Sequence, residues 1–216
     1  MVDLLLDLMP LHDETNCRLD DYFAGNPEPP DDDPEFGQIC DPLWGLELRI
    51  KLAAELAILM SAFAAEERLN MFAVYNVART IAEPLEKLSP PEKLQVLSAF
   101  VDGRDMSGDN LQGTLKKLVA WRNAYAHGHC YDRPVKSLRR NHLVHPADYP
   151  GVPSLVGDVA RMVGCYVALC DHLASISLNP YTGGGSSETE EIRILLGEIA
   201  RYVFEGDNTV YNVIRR

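Results

Sequence analysis

DPLWGLELRIKLAAELAILMSAFAAEE, residues 41–67, is the stretch on which the fold turns. Asp41 followed by Pro42 reads as a helix start. The aspartate can cap the first amides, and proline is tolerated at the first helical position, where its missing N–H would have no partner in any case. Beyond it, apolar residues recur at steps of three and four: Leu46, Ile50, Ala53, Leu56, Ala57, Met60 and Phe63. That is the period of one face of an α-helix. The spacing predicts a long helix to about Glu67 with a wide apolar face.

The same reading extends toward the C-terminus. A second helix is expected from about Asn70 to Glu83, bent or ended by Pro84. SPPE at 89–92 has capping-box spacing, with Ser89 as cap and Glu92 reaching back to its amide, so a helix to about Val101 follows. DGRDMSGDN reads as a loop. Residues 109–126 form the next helix, with Leu111, Leu115, Leu118, Val119 and Trp121 as its buried set. Residues 130–153 are irregular, and 154–177 are strongly helical. NPYTGGGSS is a flexible connection, and Ser187 to Glu190 repeats the capping spacing before a helix to about Phe204. No alternating strand pattern and no internal repeat competes. The expected fold is all-α, a bundle of five to six helices in one domain, 41–204, with a tail at 205–216.

Upstream, GNPEPPDDDPEFG concentrates Pro, Gly, Asn and Asp, so residues 1–40 are expected to be an acidic irregular arm. Within it, VDLLLDLM can dock as an amphipathic turn or helix. This arm holds eleven Asp and Glu against one Arg, or −10 of the chain's formal −12, and the remaining 176 residues are close to neutral. At 46% hydrophobic and 24% charged, the composition is that of a soluble globular protein. Five cysteines without a CxxC pair fit reduced thiols, and the N-terminus lacks the basic region of a signal peptide. A cytoplasmic location is therefore expected. Leu155 to Leu173 is the most apolar long segment, but Asp158, Arg161, Asp171 and His172 argue against its spanning a bilayer.

The densest chemistry lies at 118–132, LVAWRNAYAHGHCYD. Here an apolar helical run ends in Arg122, Asn123, His127, His129, Cys130 and Tyr131. RNAYAHG, residues 122–128, resembles the signature of the HEPN superfamily: an arginine, four to six residues, then a histidine, at the end of a helix in a bundle. The resemblance in motif covers about seven residues. It implies a HEPN-like bundle and a metal-independent endoribonuclease of the toxin or phage-defence type, without cofactor or metal. It also implies a homodimer in which paired motifs form one composite site. Arg122 would hold the scissile phosphate, His127 would transfer protons as the RNA 2′-hydroxyl attacks, and Asn123 would orient them.

Elementary chemistry agrees with those roles. Histidine titrates near neutrality and can give or take a proton. Arginine is permanently charged and grips phosphate oxygens through a planar fork. On an unbroken helix Arg122 and His127 lie about 140° apart, whereas Arg122 and His129 nearly align, so His129 is the alternative histidine. HCY, residues 129–131, is similar to the His-x-Tyr ending of one HEPN toxin subgroup, which makes Tyr131 a candidate for modification by a partner nucleotidyltransferase. Arg133, Lys136, Arg139 and Arg140 form the densest basic stretch and are candidates to contact RNA phosphates. The alternatives are a solvated loop or a partner for the acidic arm.

Three further readings stay open at this point. His127, His129, Cys130, His142 and His145 could supply metal ligands, although no standard spacing is met. Arg and His at a helix C-terminus also serve as ordinary capping groups. Finally, the acidic balance opposes RNA binding and suits a non-catalytic HEPN-like module that binds a protein partner such as an antitoxin or regulator. Cys165 and Cys170, on an apolar helix, are expected in the core.

Overall fold

The structure, a computed structural model, describes residues 1–27, 33–126, 152–179 and 187–203. Among these residues it is all-helical, with seven helices and no strand: α1 (Val2–Gly25), α2 (Pro34–Asn76), α3 (Arg79–Leu85), α4 (Pro90–Asp102), α5 (Asn110–Ala126), α6 (Val152–Ile176) and α7 (Ser187–Val203). α2 and α6 pack together at the centre. α5, α4 and α7 lie against α6, while α1 lies along α2 and touches α7. One connected apolar core draws residues from all seven helices, including Leu5, Ile58, Leu85, Leu97, Leu118, Val159 and Leu196.

The N-terminal region departs from the irregular arm expected from its composition. Residues 2–25 form a helix that buries Leu5, Leu8, Met9 and Tyr22, with Pro10 inside it. Buried residues at 5, 8, 9, 12 and 15 follow helical spacing, the first three apolar and the last two His12 and Thr15, and docking this face on α2 outweighs the aspartates and the proline. The acidic residues then decorate a packed helix. α2 also begins earlier than expected, because Asp33 and Pro34 provide the cap and first residue that had been read at Asp41 and Pro42. Asp33 accepts the Glu35 amide at 2.9 Å and the Tyr22 hydroxyl at 2.5 Å, which joins the start of α2 to the end of α1. Pro42 sits inside α2 and removes one backbone bond, while burial of Ile39, Cys40 and Leu43 around it carries the helix through.

The expected break near Glu67 is likewise absent. α2 continues to Asn76, and the chain turns at 77–78 before the short α3. Leu69, Phe72 and Ala73 continue its buried face, so packing prolongs the helix. Downstream, expectation and structure agree closely. The Ser89 and Glu92 capping box is formed, and Gly103 closes α4 at φ 69°, a left-handed conformation that suits glycine. On α5, Leu115, Leu118, Val119 and Trp121 are buried. Leu155–Ile176 is long and apolar enough to cross a membrane by length and composition, but Leu155, Val156, Val159, Val163 and Leu169 of this helix are buried within the protein core.

Candidate functional site

Arg122 and Asn123 occupy the last turns of α5. The Arg122 guanidinium donates through Nη1 to Glu66 of α2, and through Nε and Nη2 to Asn123 Oδ1 at 3.3 and 3.2 Å. Glu66 Oε1 also lies 3.6 Å from Lys93 Nζ of α4. Lys93 is only 1% exposed and donates to Asn70 Oδ1 of α2 at 2.7 Å. Two cations therefore share one carboxylate where α2, α4 and α5 meet. Burying an ammonium is costly unless it is paired and hydrogen-bonded, and Glu66 with Asn70 meets that requirement. Arg122 keeps 18% of its side chain exposed, and its Cζ lies 6.0 Å from the ring centre of Phe63.

This geometry has a chemical consequence. The fork that would grip a phosphate is already engaged by Glu66 and Asn123, so an incoming phosphate must compete with a carboxylate. Of the residues expected from sequence, Arg122 and Asn123 are brought together. His127, His129, Tyr131, Arg133, Lys136, Arg139 and Arg140 lie outside the described residues, as do Cys130, His142 and His145. Among the described residues, no group of three or more His, Cys, Asp or Glu is arranged to hold a metal ion.

Sequence reading missed Glu66, Lys93 and Asn70. Lys93 left a signal, since it falls on the buried face of α4 with Pro90, Leu94 and Leu97, and a cation at an apolar register position needs a partner. Glu66 left none that separates it from neighbouring carboxylates. A second polar pair joins α4 to α6, where Ser98 Oγ and His172 Nε2 are 2.8 Å apart. Burial, followed by the charge of Arg104, holds His172 below its ordinary pKa. Ser98 is fully buried, so this pair is a core contact and offers no accessible nucleophile. Cys165 and Cys170 are buried as expected, and burial pushes the Cys165 thiol up to about 12.

A larger feature adjoins Arg122. Between residues 44 and 75, α2 has twelve exposed positions. Nine are large and apolar: Trp44, Leu48, Leu52, Leu56, Met60, Phe63, Met71, Val74 and Tyr75. The other three are Gly45, Arg49 and Glu67. Leu56, Met60 and Phe63, read from sequence as part of one wide apolar face with Ile50, Ala53 and Ala57, thus point away from the core; Met60 is 60% and Phe63 52% exposed. The buried side between residues 50 and 65 is Ile50, Ala53, Ala54, Ala57, Ile58, Ser61, Ala62 and Ala65, and Leu69, Phe72 and Ala73 continue it to the end of the span. Small residues there let neighbouring helices approach closely, and the large residues lie on the opposite side. A helix that is apolar all round is ordinarily buried all round.

Comparison with known family models, curated proteins and solved structures finds no match to this chain.

Proposed function

We propose that the protein is a HEPN-like helical interaction module whose working surface is the outer face of α2. The observation that carries this reading is the run of exposed positions from 52 to 63, which holds Leu52, Leu56, Met60 and Phe63 and no exposed polar residue. Taking roughly 200 Å² for a large side chain, nine such residues about half exposed present on the order of 1,000 Å². The largest apolar patch of an ordinary monomer is about 300–600 Å². The engagement of Arg122 by Glu66 fits a structural role for the motif, tying α5 to α2 behind that surface.

A photo-crosslinking residue placed at Leu56 tests this reading. It should form an adduct with a protein chain, its own or another, whereas the same probe at exposed Arg79 should not. A folded protein that gives no adduct at Leu56 in its native cells would overturn the reading.

The metal-independent ribonuclease remains a second reading, favoured by one observation. Asn123 Oδ1 orients Arg122 at the end of α5, four residues before His127 in sequence, and part of the Arg122 side chain stays exposed. RNA incubated with the protein in EDTA distinguishes the two. The interaction reading predicts no 2′,3′-cyclic phosphate ends above background. Cleavage that vanishes in both Arg122→Ala and His127→Ala would establish the enzyme.

A further inference from the structure

We propose that the outer face of α2 is occupied by α2 of a second copy, packed antiparallel about a two-fold axis near residue 58. This rests on the reading of that face as an interface. The first argument is charge. The only charged residues among the exposed positions from 44 to 75 are Arg49 and Glu67. They stand 18 residues apart, which is about five turns and about 27 Å of helix, so both lie on the same line along α2. Neither is in an ion pair with a described residue. In an antiparallel pair centred near residue 58, position 49 of one copy faces position 67 of the other, and the reverse. Two symmetric Arg–Glu pairs then flank the apolar centre, where Leu56 faces Met60 and Met60 faces Leu56. A parallel pair would set Arg49 against Arg49 and Glu67 against Glu67.

The second argument is area. About 1,000 Å² offered by each copy gives roughly 2,000 Å² in total, which reaches the 1,200–2,000 Å² of a stable specific interface. The third is shape. Contact extending over five turns needs a shallow crossing of about 20°, the geometry of ridges interdigitating along nearly aligned helices. A steep crossing would leave the 49 and 67 positions apart. A two-fold pair also closes on itself, so the apolar face is consumed without forming an open filament.

Sedimentation velocity of the intact chain provides the test, with Arg49→Glu, Glu67→Arg and the double variant beside it. Both positions are exposed, and circular dichroism should show unchanged helix content. The wild type is expected to be a dimer. Each single variant should weaken dimerisation by about tenfold or more, because each turns both ion pairs into like-charge pairs. The double variant should restore it. A folded monomeric wild type would overturn the proposal, as would a dimer indifferent to the single changes. Single changes that weaken the dimer without rescue by the double would exclude the antiparallel register. Adducts at Leu56 to a different protein, with a monomeric purified chain, would remove the second copy while leaving the interaction module standing.

Discussion

The two sides of α2 are both apolar, yet they are built differently. Between residues 50 and 65, the side facing the bundle is mostly alanine, interrupted by Ile50, Ile58 and Ser61; the side facing away carries Leu52, Leu56, Met60 and Phe63. Hydrophobicity alone would rank the second side as the core. The first is the core because α1, α5 and α6 crowd against it, and close helix approach selects small side chains. Apolar surface in excess of what the bundle covers is thus left on the outer side of α2, where the proposed interface lies.

The sharpest way to break this comparison is to truncate one residue from each side. Ile58 is fully buried and Leu56 is exposed. Ile58→Ala should lose about 2–5 kcal/mol in urea denaturation, the range for deleting a packed aliphatic side chain. Leu56→Ala should change the stability of the dissociated chain by no more than about 0.5 kcal/mol while weakening association. Equal losses at both positions would mean that both sides belong to the core of one chain.

The next largest effect concerns the polar knot behind the surface. Glu66→Ala leaves buried Lys93 without its carboxylate, and should cost about 1–3 kcal/mol; the upper end of the range for a buried pair is not expected, because Glu66 is 32% exposed. Adding Lys93→Met to Glu66→Ala should recover part of that loss. No recovery would show that Glu66 acts through Arg122 alone.

Much of the bundle was legible in residues with a fixed mechanical meaning. Ser89, Pro90 and Glu92 announced α4, and the three-and-four spacing of Leu111, Leu115 and Leu118 announced α5. The failures have physical causes. Pro42 and the aspartates of α1 are local signals for breaking or solvating a helix, and burial of Leu43, Leu5 and Leu8 overrides them. Which side of α2 faces inward was not legible, because periodicity finds an apolar face without saying what lies against it. At the candidate site, Arg122 and Asn123 stood out by their chemistry. Glu66 did not, since its role depends on a contact 56 residues away in sequence.

Smaller effects sharpen the contrast between the ends of α2 and its middle. Asp33→Ala removes the cap and the acceptor of the Tyr22 hydroxyl, and should lower the urea midpoint by less than Ile58→Ala or Glu66→Ala does. The hydrogen bond to Asp33 pushes Tyr22 up to about 12, and the same bond holds Asp33 below the ordinary carboxylate range. The Tyr22 contribution is therefore complete below about pH 10 and is lost between 10 and 12. The Asp33 contribution is present above about pH 4 and is lost as pH falls through its folded value. Phenolate absorbance of the wild type against Tyr22→Phe reads the first directly.

The smallest effect lies at His172, which is held below its ordinary value by burial and by Arg104, against the opposing charges of Asp109 and Asp102. Its contribution should be present above about pH 6.5 and decline as pH falls through the folded value. Imidazole resonances titrating above that range would contradict the account.

The most direct measurement is hydroxyl-radical footprinting of the three methionines that separate the possibilities. Met106 is 1% exposed and Met1 43%, while Met60 is 60% exposed in the single chain. The account predicts that in the intact protein Met60 is protected like Met106, and that Leu56→Glu exposes it. Oxidation of wild-type Met60 as fast as Met1 would show the outer face of α2 to be bare.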